Sequence, residues 1–153
     1  DMAGPTKLRE DFKLAGMKVL QFAFGSDVAS SVHAPHNFTK FNTVVYTGTH
    51  DNNTIKGWFL DEISDKERKR LELYLGQRVN VDSVSQNLME LALKSTAKIA
   101  ILQLQDVIGL ESSARINTPA TVGNNWLWRL KKNELDNTHE NWLRTRTNLY
   151  GRG

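Results

Sequence analysis

Residues 42–58 read Asn42-Thr-Val-Val-Tyr-Thr-Gly-Thr-His-Asp-Asn-Asn-Thr-Ile-Lys-Gly-Trp58, an apolar run followed at once by a polar cluster. The β-branched residues of Asn42 to Tyr46 favour a strand, and Gly48 permits a sharp turn after it. The cluster that follows offers several hydrogen-bond donors and acceptors, namely His50, Asp51, Asn52 and Asn53. Barrel enzymes place their chemistry at such strand ends. The same residue types also suit a turn followed by a helix N-cap, so the pattern alone leaves both interpretations open.

The composition predicts one ordinary globular domain. The chain has 153 residues, of which 39% are hydrophobic and 24% are charged, enough to bury a core. Its 20 Lys and Arg against 17 Asp and Glu leave a net charge of +3, too small an excess to predict nucleic-acid binding. No signal peptide and no membrane-length apolar run are recognised, so no membrane association is expected. The absence of cysteine excludes disulfides and thiolate metal sites and makes the cytoplasm the expected location.

Helix and strand signals alternate along the chain. The predicted strands are Met17–Phe24, Asn42–Tyr46 and Lys98–Leu104. The predicted helices are Lys7–Leu14, Thr54–Leu60, a helix from Ser64 to Gly76 that opens with a Ser64 and Glu67 capping box, a helix capped by Asp82, and Glu134–Tyr150. Long crossovers between the strands predict a parallel α/β arrangement rather than an antiparallel sheet.

Several motifs together resemble one enzyme family. Tyr46-Thr-Gly-Thr-His-Asp-Asn-Asn-Thr54, followed by Gly57-Trp58, closely resembles a motif of the bacterial and plant 4-α-glucanotransferases, which are also called amylomaltases or disproportionating enzymes. Further segments that resemble this family are Gly16-Met-Lys-Val-Leu-Gln-Phe-Ala-Phe24, Gln105-Asp-Val-Ile-Gly-Leu110, Ala114-Arg-Ile-Asn-Thr-Pro119, Asn125-Trp-Leu-Trp-Arg129 and Leu149-Tyr-Gly-Arg152. The similarity runs over nearly the whole chain from about Leu14 onward.

The resemblance implies that the fold of this segment is incomplete on its own. The family has a (β/α)8 TIM barrel, which uses eight strands and typically about 250 residues, whereas this chain predicts three strands. Residues 1–153 are therefore expected to be the C-terminal segment of the catalytic barrel, with its last three strands and no separate second domain. An open parallel sheet exposes strand edges and apolar faces. The segment is thus expected to need the remainder of the barrel or to self-associate.

The resemblance also implies an activity, the transfer of α-1,4-glucan segments between maltooligosaccharides by a retaining double displacement, with no cofactor and no metal. Such a reaction requires a nucleophilic carboxylate and a carboxylic acid that protonates the leaving oxygen. By resemblance, both lie upstream of Asp1, so this segment alone is expected to be inactive. A non-catalytic carbohydrate-binding or structural module derived from the barrel is the alternative. The upstream sequence of the parent reading frame would separate the two.

Five residues receive site roles. Asp51 matches the family's aspartate that binds glucose hydroxyls and stabilises the transition state, and His50 lies beside it as a hydroxyl donor. Asn117 and Phe22 match substrate-contacting residues, although Phe22 suits core packing equally well. Asn52 is a further candidate for substrate binding.

Three positions outside this set also have expected roles. Ala120 stands where the family has Gly, and it lacks the φ freedom of Gly, so the loop after Asn117 is expected to differ in shape. Asp106 is expected to support the end of a strand. Trp126 is expected to anchor the final helix rather than to stack on sugar rings. The four His residues and the carboxylates lack a compact metal-ligand spacing.

Overall fold

The computed structural model describes residues 3–153, in which three strands form one parallel sheet with the order β1-β2-β3. The strands are β1 (Gly16–Val19), β2 (Thr43–Tyr46) and β3 (Ile99–Ile101). In this register Val44 of the central strand lies between Met17 and Ile99. The expected α/β class and the parallel arrangement are confirmed.

The helices follow the strands in the alternation that the sequence predicts. They are α1 (Ala3–Asp11), α2 (Ile55–Gly57), α3 (Asp65–Leu75), α4 (Val84–Leu93), α5 (Leu104–Ile108) and α6 (Asn137–Leu149). A wider π-helical turn, Trp58–Glu62, continues α2. Short 3-10 turns occur at Leu20–Phe22, Pro35–Asn37 and Ser112–Ala114. Across the described part of the chain, no helix combines the length and the apolar character needed to cross a membrane.

Two strands are shorter than the sequence predicts. The apolar run Met17–Phe24 leaves the sheet after Val19 and continues as a 3-10 turn. The run Lys98–Leu104 is a strand only over Ile99–Ile101, and its last residue, Leu104, begins α5. A continuous apolar run indicates burial, but it does not distinguish a strand from a helical turn. Both overestimates have this cause.

The helix caps agree with the sequence in one place and differ in another. Ser64 and Glu67 form the predicted capping box, in which Ser64 N donates to Glu67 Oε2 at 2.9 Å. Helix α3 ends at Gly76 with a φ of +69°, a left-handed conformation that glycine adopts without strain. The predicted cap of α4 by Asp82 is wrong, because Ser83 occupies the cap position and makes no side-chain bond to the helix.

The core lies on one face of the sheet, between the strands and the helices. Its fully buried members include Leu20, Val45, Ile55, Leu71, Val84 and Leu88. On the opposite face, Met17 is 58% exposed, Ile99 47% and Ile101 40%. The sheet therefore leaves these three apolar side chains partly exposed, as expected for an open three-stranded sheet, although Val19 on the same face is buried.

Candidate functional site

The carboxyl ends of the three strands meet at one edge of the sheet, and the loops that follow carry all five candidate residues. Backbone bonds join these ends, since Gln21 N donates to Thr47 O at 3.3 Å and Thr47 N to Ile101 O at 3.4 Å. The side chain of Gln103 adds a bond from its Nε2 to Thr49 O at 2.7 Å. Hydrogen bonds thus hold the starts of the site loops together at the ends of the strands.

A tight turn at Thr49–Asn52 presents the polar cluster. Asn52 Oδ1 accepts hydrogen bonds from both Thr49 N and Thr49 Oγ1, each at 2.9 Å, and Asn52 N donates back to Thr49 O at 3.0 Å. The oxygen of Asn52 therefore shapes the turn. His50 and Asp51 lie at its exposed tip.

Asp51 lies at the meeting point of two loops. Its Oδ1 accepts a hydrogen bond from Asn117 Nδ2 at 2.6 Å, and His50 Nε2 lies 3.3 Å from the same oxygen. Asn117 N donates to His50 O at 3.1 Å. The Asp51 side chain is 48% exposed, and its Oδ2 accepts no hydrogen bond from residues 3–153. The structure thus brings three of the five predicted residues together and leaves one carboxylate oxygen open to a ligand.

The other two candidates border a neighbouring depression. Phe22 follows β1 in the 3-10 turn and is 55% exposed, with its ring edge-on to His33 at 5.5 Å between centroids. Phe22 therefore does not pack in the core of the described residues. It lines a depression of about 330 Å³ together with Asn52, Trp58 and Glu62. The depression combines an exposed aromatic ring with amide and carboxylate groups, which is the chemistry that sugar rings and hydroxyls require.

Arg115 and Glu62 belong to the same site, although sequence reasoning assigned them no role. Arg115 Nη2 donates to Asp51 O at 2.7 Å, and Arg115 Nη1 lies 3.1 Å from Glu62 Oε1. The one sequence signal for Arg115 was its place in the motif Ala114-Arg-Ile-Asn-Thr-Pro119. Its partners lie 64 and 53 positions away, too far for any local pattern to connect them.

Trp126, which the sequence predicts to anchor the final helix, packs against a residue of the site. Its ring is 56% exposed and packs on His50 with 5.1 Å between centroids, at an interplanar angle of 35°. Trp126 N donates to Ile116 O at 2.7 Å, which folds this loop back over the site. Ala120 in the same loop has a φ of +61°, so it adopts the left-handed conformation that Gly favours despite its Cβ.

Asp106 supports the end of β2, as expected. Its Oδ2 accepts a hydrogen bond from Thr47 Oγ1 at 2.9 Å and its Oδ1 one from Ile55 N at 2.7 Å, so it connects the end of β2 to the start of α2. The side chain is 0% exposed. Burial raises the pKa of Asp106 to about 6, although the two hydrogen bonds act in the opposite direction. Within residues 3–153, no three His, Asp or Glu side chains are grouped to hold a metal ion.

The parallel sheet defines the class, an α/β protein, and its polar residues lie at the carboxyl ends of the strands, the edge where open α/β sheets commonly bind ligands. Comparison with known proteins then identifies the family. The family model described as 4-alpha-glucanotransferase matches residues 4–135, and the chain belongs to this family.

Named relatives agree with this assignment. The chain is 48% identical over 124 residues to a chloroplastic/amyloplastic 4-alpha-glucanotransferase of Solanum tuberosum, which covers 81% of this chain and 21% of that protein. A Synechocystis 4-alpha-glucanotransferase is 43% identical over 145 residues, covering 95% of this chain and 28% of its own length. The chain thus spans 21% of the length of the first relative and 28% of the length of the second.

A solved structure agrees with the fold. The amylomaltase from Streptococcus agalactiae in complex with acarbose superposes with a TM-score of 0.91 at 30% sequence identity. The match covers 99% of this chain and 30% of that chain. An amylomaltase from Corynebacterium glutamicum, at 14% identity and a TM-score of 0.66, supports the fold alone.

Proposed function

We propose that residues 1–153 are the C-terminal part of the catalytic (β/α)8 TIM barrel of a 4-α-glucanotransferase, with no separate second domain. The strands β1, β2 and β3 would be the last three of the barrel, and the remaining strands would come from the rest of the parent chain. The parallel arrangement of the strands and the partly exposed side chains of Met17, Ile99 and Ile101 support this, because the interior of such a barrel is filled by side chains that the strands direct inward.

The proposed activity is the transfer of α-1,4-glucan segments between maltooligosaccharides with retention of configuration. A carboxylate attacks the anomeric carbon while a carboxylic acid gives its proton to the leaving oxygen. In the second step, the acceptor hydroxyl gives its proton to the group that acted as the acid and attacks the anomeric carbon. This attack breaks the bond between the sugar and the nucleophilic carboxylate. The proposed nucleophile and acid lie outside residues 1–153. The isolated segment should therefore have no transferase activity.

The observation that carries the proposal is the meeting of Asp51 and Asn117 at the strand ends. Asn117 Nδ2 holds one oxygen of the Asp51 carboxylate at 2.6 Å, and the half-exposed side chain keeps its second oxygen available for a sugar hydroxyl. Such a bond strengthens as positive charge develops on the sugar ring, because the hydroxyl becomes more acidic. Asp51 would therefore stabilise the transition state more than the bound substrate.

The other candidates would hold the sugar chain. His50 is 52% exposed and would donate to a hydroxyl beside Asp51, with its ring supported by Trp126. Phe22 would pack on the apolar face of a sugar ring, and Asn52 and Asn117 would bind hydroxyl groups. Acarbose is bound by the related Streptococcus agalactiae amylomaltase, and we expect the parent of this chain to accept ligands of that chemistry.

The test is Asp51→Asn in the full-length parent enzyme. The substitution keeps the shape of the side chain and removes its charge, so glucose release from maltotriose should fall by about 100-fold or more, with the melting temperature unchanged. Asp11→Asn is the matched control, because Asp11 is an exposed carboxylate that precedes β1 and pairs with Lys7 at 2.7 Å. Turnover near that of the wild type in Asp51→Asn would exclude the role proposed for Asp51.

A non-catalytic carbohydrate-binding or structural module remains the second candidate, since every candidate residue in this chain is one that would contact sugar. The two candidates differ in their upstream sequence. A nucleophilic Asp and an Ala-Glu-Asp-Leu-Gly-like segment in the parent reading frame would support the enzyme. A wild-type parent that binds maltooligosaccharides without turnover would support the binding module.

A further inference from the structure

Arg115 joins three separate parts of the site through one guanidinium group. Its Nη2 donates to Asp51 O at 2.7 Å, its Nε to Asn117 O at 2.9 Å, and its Nη1 to Glu62 Oε1 at 3.1 Å. These acceptors belong to the loop after β2, the loop after α5 and the π-helical turn that follows α2. A guanidinium is planar and presents its N–H donors in a rigid fork, so three simultaneous bonds constrain the relative positions of all three segments.

We infer that Arg115 is a positioning residue, which holds the carboxylate of Asp51 against the side chain of Asn117. The inference rests on the proposed function, because it concerns the same site. Arg115 binds the backbone carbonyls of Asp51 and Asn117, while the bond between their side chains, from Asn117 Nδ2 to Asp51 Oδ1, is 2.6 Å long. The spacing of the two backbones therefore sets the spacing of the two functional groups.

The surroundings of Arg115 favour an ordered guanidinium. Its side chain is only 23% exposed, and its charge is balanced by Glu62, which is itself held by a 3.0 Å bond from Asn53 Nδ2. Hydrogen bonds from a charged donor are about twice as strong as neutral ones. The two loops have a second backbone link, from Asn117 N to His50 O at 3.1 Å. Arg115 also connects these two loops to Glu62, which ends the π-helical turn after α2.

The π-helical turn gives Glu62 its position. A π-turn carries one more residue per hydrogen-bonded ring than an α-turn, and such turns occur frequently at functional sites. In the turn Trp58–Glu62, the bond from Ile63 N to Trp58 O measures 2.9 Å. Glu62 ends this turn, where its carboxylate meets both Asn53 and Arg115.

The experiment uses the full-length parent enzyme with Arg115→Met, Arg115→Lys, Asn117→Ala and the double variant Arg115→Met with Asn117→Ala. Met keeps the apolar stem, and Lys keeps the charge but lacks the fork. We expect kcat for maltotriose disproportionation to fall by about tenfold to 100-fold in both Arg115 variants, because small displacements at a catalytic site have effects of this size. KM should change by less than about threefold, because the inference has Arg115 act through Asp51 and Asn117 rather than on the sugar itself. Arg78→Met is the control, because the Arg78 side chain is 95% exposed and lies 3.4 Å from Glu72.

The double variant separates positioning from general structural support. If Arg115 acts through the pairing of Asn117 with Asp51, the double variant should be no more than about twofold slower than the slower single variant. Effects that multiply would overturn the inference, as would a kcat for Arg115→Lys within about twofold of the wild type. Arg115→Lys provides the test if Arg115→Met does not fold.

A crystal structure of the Arg115→Lys variant gives a test that does not depend on activity. We expect the Asp51 and Asn117 side chains to separate beyond hydrogen-bonding distance, and an intact pair would overturn the inference. If the wild-type parent had no transferase activity, the proposed function would fail while this structural test would still decide the role of Arg115.

Discussion

Asp106 is the residue whose ionisation the fold changes most clearly. The carboxyl group is fully buried, and the ordinary pKa of 3.8 rises to about 6 in the folded chain. The charged form is disfavoured because burial removes its hydration, and two hydrogen bonds from Thr47 and Ile55 replace only part of that hydration. Asp106 therefore joins β2 to α2, but the folded state becomes less stable as its carboxyl group ionises.

This shift predicts a pH dependence of stability with a definite sign. Because the pKa is higher in the folded state, the folded protein binds more protons between pH 3.8 and about 6. The contribution of Asp106 to stability is thus fully present below pH 3.8 and is lost as the pH rises through 6. We expect the free energy of unfolding of the full-length parent, minus that of its Asp106→Asn variant, to fall by about 2–3 kcal/mol between pH 4 and pH 7. Urea unfolding at several pH values measures this difference.

The difference between the two free energies of unfolding reports on the Asp106 carboxyl group, because Asn does not titrate and the two proteins share all other titratable groups. Asp11→Asn is the control, since it makes the same carboxyl-to-amide change at a side chain that is 54% exposed. Parallel curves for Asp106→Asn and the wild type would contradict the prediction.

Among the helices, α2 and its π-helical continuation depend most on one small residue. A Cβ at Gly57 would overlap Asn53 Oδ1 and Ser112 Oγ and would lie 2.7 Å from Asn53 Cγ. Asn53 Nδ2 in turn donates to Ser112 Oγ at 3.1 Å and to Glu62 Oε1 at 3.0 Å. The helix therefore approaches the loop after α5 closely only because position 57 lacks a side chain.

Gly57→Ala should destabilise the full-length parent by about 1–3 kcal/mol, because the added methyl group must displace both Asn53 and Ser112. Thermal or urea unfolding provides the measurement. Gly4→Ala is the matched control, since a Cβ there meets nothing within 4 Å and Ala is favoured in a helix. Equal stability of the Gly57→Ala variant and the wild type would show that the contact can relax at no cost.

Local sequence patterns predict some features of the helices and miss others. The capping box at Ser64 was predicted correctly, because both of its residues lie within one helical turn. The sequence predicts a single short helix at Thr54–Leu60 and contains no signal for the π-helical turn Trp58–Glu62. The π-turn serves contacts with Arg115, a residue far along the chain, and local propensity contains no information about such contacts.

For the chain as a whole, the partly exposed apolar face of the sheet is the feature with the largest consequence. Met17, Ile99 and Ile101 are all at least 40% exposed on the side away from the helices. Within residues 3–153, β1 and β3 each pair with β2 alone, so each has an unpaired edge. Exposed apolar side chains next to open strand edges favour association with another chain.

We therefore expect the isolated segment 1–153 to self-associate. Sedimentation of the purified segment should give an average mass that rises with protein concentration, because association buries the apolar row. Ile99→Lys should shift the distribution towards the monomer, since a charge in that row opposes its burial. A concentration-independent monomer with a cooperative urea transition would contradict the prediction.

The sequence by itself determined the α/β class, the parallel arrangement of three strands and the family, and it indicated the candidates Asp51, His50 and Asn117. It could do so because strand periodicity, helix caps and the motif around Asp51 each lie within a short stretch of chain. Only the tertiary structure decided which groups meet at the site. The bond from Asn117 to Asp51 and the bonds from Arg115 to Asp51 and Glu62 join residues more than 50 positions apart. Such contacts depend on how the strand ends and their loops pack together, and no local pattern in the chain encodes that packing.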